Sequence, residues 1–191
     1  MYTKQKWVVF LAAVLLLTSA TFDAALAENG HKERRRYQKR HRNSAEHNAK
    51  SHLTPVNNST YKETCGACHF TYQPELLPSA SWGKILDRLD DHFGEEIDLD
   101  QEPKKIIAEY LKANGAESSS AKLAVKNMRS LKGQTPMRIT DVPYIGHKHE
   151  DDDIPADAFQ RKSVGSMSNC IACHTTAERG IYDDAYVEIP K

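Results

Sequence analysis

Apolar residues are scarce in this chain of 191: they make up 39%, with a mean hydropathy of −0.65, against roughly 45–50% in an average soluble domain. That leaves little core for a large fold unless something other than side chains fills it, and it argues against a large enzyme. No apolar run approaches the ~20 residues a membrane-spanning helix needs, so a polytopic membrane protein is excluded. Net charge is absent too, with 26 Lys and Arg against 26 Asp and Glu; a basic nucleic-acid-binding domain and a coiled coil both fall away. Aromatics are 8% and cysteines number four.

The zero net charge is unevenly spread. Residues 28–52 carry eight Lys/Arg against three Glu, net +5, and residues 53–191 carry sixteen against twenty-two, net −6. Ahead of both lies a short positive region, Lys4 and Lys6, then eleven apolar residues over 7–17, then small residues leading to Ala25-Leu26-Ala27. This order reads as a secretory signal over 1–27 with an A-x-A cleavage site. An uncleaved anchor is the rival, but the run is short, and Thr18, Ser19, Thr21 and Asp23 dilute the segment just after it. The mature chain is expected in an exported, periplasmic location, with no transmembrane span after cleavage. Residues 28–52 have no apolar periodicity and read as a basic disordered arm, a solvated spacer ahead of an attachment device. Of the histidines in it, only His52 lies close to the folded region.

The four cysteines fall into two copies of one pattern, Cys65-Gly66-Ala67-Cys68-His69 and Cys170-Ile171-Ala172-Cys173-His174. Both are C-x-x-C-H, the c-type haem attachment signature. Two thiols add across the two vinyl groups of one porphyrin, and the adjacent histidine reaches the iron from below. Composition alone supplies one such match with a frequency of about 0.004, and two on the order of one in a hundred thousand. A zinc site of paired cysteine knuckles would not require histidine after both. A thioredoxin-like motif needs a βαβ setting, and disulfides within each motif would close tiny loops. Two covalent haems also account for the thin core, since the porphyrins supply apolar bulk. Cys65, Cys68, Cys170 and Cys173 are the attachment residues, and His69 and His174 the proximal ligands.

Two further axial ligands are needed. Residues 79–94 read as one helix, with Trp82, Ile85, Leu86, Leu89 and Phe93 on one apolar face and His92 extending it. His92 is therefore a distal-ligand candidate, although a lone histidine on an apolar face is commonly only packed. A helix is expected from about residue 98 or 100 to 113, with Ile106, Ile107, Tyr110 and Leu111 inward and Pro103 in its first turn. Another is expected over 120–131, ending at Gly133, with Leu123, Met128 and Leu131 inward. Residues 135–144, with prolines near both ends, read as extended. They lead to His147 and His149, one of which is the second distal candidate, and then to an acidic run over 150–153. Met137 is the competing ligand; Met128 fits core spacing and Met167 lies too near Cys170. Met/His ligation raises the haem potential relative to two histidines. Arg129, Arg138 and Arg179 are candidates to pair with haem propionates.

Taken together, Cys65-Gly-Ala-Cys-His69-Phe70, Tyr72-Gln73-Pro74-Glu75-Leu76-Leu77-Pro78, Ser81-Trp82, Asp91-His92-Phe93-Gly94, Arg138-Ile139-Thr140-Asp141-Val142-Pro143-Tyr144 and Ser168-Asn169-Cys170 resemble the dihaem cytochrome c family over about residues 53–190. The resemblance implies a small exported electron-transfer protein with two bis-histidine haems. It also implies that His92 and the histidine after Pro143-Tyr144 are distal ligands; spacing from Tyr144 favours His149, with His147 as the alternative. As partners it implies redox proteins, either a small monohaem oxygen-binding cytochrome or a membrane cytochrome b. The fold expected is mainly α: a class I cytochrome c-like haem lobe over 53–133, then an irregular haem lobe over 134–191. An electron carrier, not an enzyme, is the leading reading. The alternatives are a dihaem peroxidase-like or gas-binding haem enzyme with one displaceable distal ligand, and a small subunit of a membrane complex tethered by the basic arm.

Overall fold

A computed structural model of the chain describes residues 34, 35, 38, 52–150 and 154–191. The chain clusters into two units, residues 1–48 and 49–191. The signal segment, most of the basic arm and residues 151–153 of the acidic run lie outside the described residues. Within the arm Arg34, Arg35 and Gln38 are helical and exposed; Arg and Gln are both good helix formers.

Among the described residues of 49–191 the regular elements are short helices and 3₁₀ turns, joined by irregular chain. Helix α1 (Ser59–Cys65) starts where the Asn58 side chain accepts from the Tyr61 N–H at 2.8 Å, a side-chain N-cap. A 3₁₀ turn over Pro74–Leu76 leads to α2 (Ser79–Leu86). Helix α3 (Gln101–Ala113) carries Pro103 in its first turn, where no intrahelical N–H is needed, and α4 spans Lys122–Leu131. Helix α5 (Pro143–Lys148) is followed by 3₁₀ turns at Ala158–Gln160, Cys170–Ala172, Ala177–Arg179 and Asp184–Tyr186. Among the described residues there is no strand, only two isolated bridges, His92 with Glu95 and His174 with Val187.

Helix α3 packs on α1 and α2, and α4 packs on α5. Val56, Tyr61, Leu77, Trp82, Leu86, Ile107, Leu111, Leu131 and Val142 form the main core, and the Trp82 indole N–H donates to the Pro74 carbonyl at 2.8 Å. Leu53, Leu76, Ala116, Ala121 and Ala124 form a second cluster. The chain beginning at Leu53 is pinned to the C-terminal segment, because the Leu53 N–H donates to the Gly180 carbonyl at 3.0 Å. Gly180 has φ +74°, and a Cβ there would strike the Leu53 carbonyl, so both conformation and space demand glycine.

Two expectations are corrected. The helix read over 79–94 stops at Leu86, with a 3₁₀ turn at Leu89–Asp91 in place of its last turns. Asp87, Asp90 and Asp91 would crowd three carboxylates at the negative end of the helix dipole. The backbone then turns left-handed at Phe93 (φ 59°) and Gly94 (φ 104°), and Phe93 is 43% exposed rather than on the apolar face. Residues 135–144 are not extended throughout: Ile139–Asp141 is a 3₁₀ turn, and Pro143 opens α5. Proline's fixed φ suits the first helical position, so the residue that suggested extended chain in fact starts a helix.

Candidate functional site

The two C-x-x-C-H motifs sit in different local structures. Cys65 closes α1, half-buried, with Gly66 as C-cap and with Cys68 and His69 exposed on the turn beyond. A Cβ on Gly66 would collide with the Lys62 carbonyl, so the helix end and the cysteine turn can meet only through glycine. Cys170 opens a 3₁₀ turn, and Cys173 and His174 come directly after it, all half-buried. None of the four cysteines is in a disulfide. Burial pushes the Cys65 and Cys170 thiols up to about 11, which keeps them protonated at neutral pH and unlike the low-pKa thiols of redox motifs. Among the described residues no three His, Cys, Asp or Glu side chains converge as a metal cluster, so the cysteine pairs do not share a tetrahedral zinc site.

Each motif histidine faces one other histidine. The His69 and His92 rings lie with centroids 6.2 Å apart and planes 17° from parallel. The His149 and His174 rings lie 6.1 Å apart at 67°. Two imidazole nitrogens each about 2.0 Å from one metal stand about 4 Å apart, and the reach from nitrogen to ring centre brings the centroids to roughly 6 Å. Both separations therefore fit one iron between each pair. The His69 Nδ1 lies 2.7 Å from the Phe70 carbonyl and the His149 Nδ1 2.7 Å from the Ile145 carbonyl. A carbonyl only accepts, so each Nδ1 carries the proton and each Nε2 keeps its lone pair for a metal. His92 differs, since its Nδ1 is buried with no hydrogen-bond partner.

Burial lowers the pKa of His92, with further contributions from His69 and Arg138. Burial also lowers that of His174, with His149 adding and Asp184 opposing. Both shifts favour the neutral imidazole that a metal requires.

Sequence left His147 and His149 both in play; the structure brings His149 to His174 and leaves His147 exposed on α5. Met137 lines a shallow depression with Lys84, Asp87, Arg88 and Thr135, and His92 takes the place against His69. Met128 packs into the core and Met167 lines the cavity beside His174. That cavity measures about 490 Å³ and is walled by His149, His174, Cys170, Cys173, Phe159 and Tyr182, a size suited to a bound cofactor.

The cations at this cavity are Lys122, Lys126 and Lys148, not the arginines read from sequence. Arg129 and Arg179 are exposed on α4 and on the Ala177–Arg179 turn. Arg138 lies at the other histidine pair, its guanidinium 4.2 Å from the Phe93 ring centre. The spacing of Lys122 and Lys126, four apart on one helix face, was the available signal for the cavity. Lys126 donates to the Tyr144 hydroxyl at 2.8 Å and Lys148 to Asp184 at 3.1 Å.

Sequence reasoning also missed the bridge between the two motifs. The Tyr72 ring packs 5.3 Å from His69, and its hydroxyl donates to the Ser168 carbonyl at 2.6 Å. The Tyr182 ring packs 5.3 Å from His174, and its hydroxyl donates to the Gln73 Oε1 at 2.6 Å. Gln73, fully buried, in turn donates to the Ala177 carbonyl at 2.6 Å. Neighbouring residues of one short segment thus tie both motifs together.

A family model for dihaem cytochrome c matches residues 61–182, well over half the chain and inclusive of both motifs. The diheme cytochrome c from Rhodobacter sphaeroides is 38% identical, covering 68% of this chain and 100% of that one, with a TM-score of 0.60. The diheme cytochrome type c from Shewanella baltica OS155 is 35% identical, covering 70% of this chain and 93% of that one, with a TM-score of 0.56. No curated protein matches. A mainly helical chain with two C-x-x-C-H motifs, matched along its folded length by proteins of one kind, belongs to the dihaem cytochrome c family: it carries two covalently bound haem c groups and performs haem-based electron transfer.

Proposed function

We propose that this chain is an exported electron carrier that relays single electrons between redox partners through two bis-histidine haems. The observation that carries the reading is that each motif histidine faces a second histidine at the spacing one iron requires, 6.2 Å for His69 with His92 and 6.1 Å for His174 with His149. Cys65 and Cys68 would hold the first haem and Cys170 and Cys173 the second. The bound haems supply one-electron chemistry at iron. The chain's own residues do the rest. His69 and His149 are oriented by the carbonyls of Phe70 and Ile145, which strengthens each as a donor. Tyr72, Gln73 and Tyr182 tie the two centres together. With a histidine facing each motif histidine, the resting protein would carry electrons rather than turn over a substrate at iron.

The signal pattern over 1–27 supports a periplasmic location for the mature protein. Among the described residues no helix is long and apolar enough to cross a membrane. Partners in keeping with the resemblance are a small monohaem oxygen-binding cytochrome and a membrane cytochrome b that feeds electrons in. The test is low-temperature electron paramagnetic resonance of the oxidised, exported protein, with haem-to-protein stoichiometry on the same sample. Two low-spin haems per chain are expected. One haem per chain, or a substantial high-spin signal, refutes the two-histidine reading.

A further inference from the structure

The two histidine pairs are not built alike. His149 stands at the end of α5, and the hydrogen bond from its Nδ1 to the Ile145 carbonyl holds the ring in one orientation. His92 stands outside any α-helix, on a turn whose next residues, Phe93 and Gly94, have φ values of 59° and 104°. Its backbone is held by two bonds with Glu95, at 2.7 and 3.3 Å, both within the same turn. Its Nδ1 is buried and unpartnered. A ligand histidine whose second nitrogen finds no acceptor is a weaker donor and is less firmly aimed than one that does. An unpaired buried N–H also costs free energy that is recovered when the ring swings out to water. A non-glycine residue in the left-handed region adds strain to the same turn.

The surroundings of His92 suit an incoming ligand. The Arg138 guanidinium is stacked on the ring of Phe93, the next residue after His92, 4.2 Å from its centre. Phe93 packs edge-on against His92 with centroids 4.9 Å apart and is 43% exposed, so this side of the centre is open to solvent. At the other centre the distal histidine, His149, packs against Phe159 with ring centres 6.0 Å apart.

We propose that the chain has a second activity: His92 is a displaceable ligand, and the centre between His69 and His92 binds a small diatomic ligand beside Arg138, while the centre between His149 and His174 does not. This rests on the two-histidine reading of both centres. Cyanide is the probe. No electron changes hands when it binds the oxidised protein: one iron–imidazole bond is exchanged for one iron–carbon bond, and the proton of hydrogen cyanide passes to solvent. The two centres carry their own labels. Nearly parallel imidazole planes, 17° here, give a well-resolved rhombic low-spin signal. Planes near perpendicular, 67° here, give a single broad feature at low field.

The experiment titrates the oxidised, fully haem-loaded protein with cyanide and tracks both signals. The rhombic signal is expected to be replaced, with one cyanide bound per chain, while the broad feature stays. The signal that cyanide removes should be the one His92→Ala abolishes, and Arg138→Leu should weaken cyanide binding about tenfold by removing the neighbouring charge. Retention of both signals at saturating cyanide, loss of both, or loss of the broad one alone each overturns the proposal. High-spin iron before cyanide is added overturns the two-histidine reading itself, and the proposal with it.

Discussion

Gln73 is the most consequential side chain that binds nothing but protein. It is fully buried, donates to the Ala177 carbonyl and accepts from the Tyr182 hydroxyl, each at 2.6 Å. Ala177 and Tyr182 flank the second motif, and Gln73 lies four residues after His69. Gln73→Leu keeps most of the volume but strands the Tyr182 hydroxyl, while the Ala177 carbonyl keeps the Gly180 N–H at 2.8 Å. At about 1–3 kcal/mol for a stranded group, the loss should be about 1–3 kcal/mol, a large share of the roughly 5–15 kcal/mol that holds a typical domain. Tyr182→Phe strands only the Gln73 Oε1 and should cost about 1–2 kcal/mol. In the double variant, Gln73→Leu with Tyr182→Phe, the hydroxyl that the first change orphaned is gone. The combined loss should therefore fall short of the sum by about 1–2 kcal/mol, because removing both partners is cheaper than removing one. Guanidinium unfolding of the haem-loaded protein measures all four corners of the cycle, since covalent attachment keeps the cofactor on the chain throughout. Additivity within about 0.5 kcal/mol would show that the two side chains do not share the bond, and the bridge between the motifs would have to be abandoned.

Three other outcomes are expected. His92→Ala should turn one of the two haems high-spin and leave the other unchanged, and His149→Ala should do the same to the other; an unaltered low-spin spectrum in either variant removes that histidine from the ligand set. Cys65→Ala or Cys173→Ala should lower haem content and leave a poorly folded chain, because the haem is much of the core. Full haem loading with unchanged unfolding in such a variant refutes that account. Glu117 accepts from the Ser79 N–H at the start of α2. Burial works to raise its pKa, yet hydrogen bonds from Ser79 hold it below the ordinary carboxylate value. The stability it contributes is thus present above the unfolded-state value and is lost as pH falls through the lower folded-state value. Glu117→Gln should destabilise the protein by about 0.5–1 kcal/mol near neutral pH, as expected of a helix cap, with the difference closing as pH falls through the lowered Glu117 value. A difference independent of pH refutes the ionic part of that cap.

How far the sequence reaches can be judged residue by residue. The haem chemistry was legible because C-x-x-C-H is local: thiols and proximal histidine lie within five consecutive residues, and nothing distant needs to be known. The inward faces of α3 and α4, with Ile107, Leu111 and Leu131 at most 2% exposed, were legible from helical spacing. Pro103 fell in a first turn for the reason proline always does. The helix to residue 94 was misread because apolar spacing persists past Leu86, while the crowded aspartates and the left-handed pair at Phe93 and Gly94 end the helix regardless.

Pairing was beyond the sequence's reach. That His92 meets His69 and His149 meets His174 joins residues 23 and 25 positions apart through turns whose geometry no periodicity encodes. The end of α5 turns His149 toward His174 and leaves His147 exposed. The Tyr72, Gln73 and Tyr182 bridge and the lysines around the second cavity are likewise tertiary facts, since a hydrogen bond spanning 109 residues leaves no mark on its neighbours in the chain. The sequence by itself determined the cofactor and its attachment, because covalent chemistry depends on local spacing. Only the tertiary structure decided which side chains face one another across each site, because that depends on how buried surfaces and turns bring distant segments together.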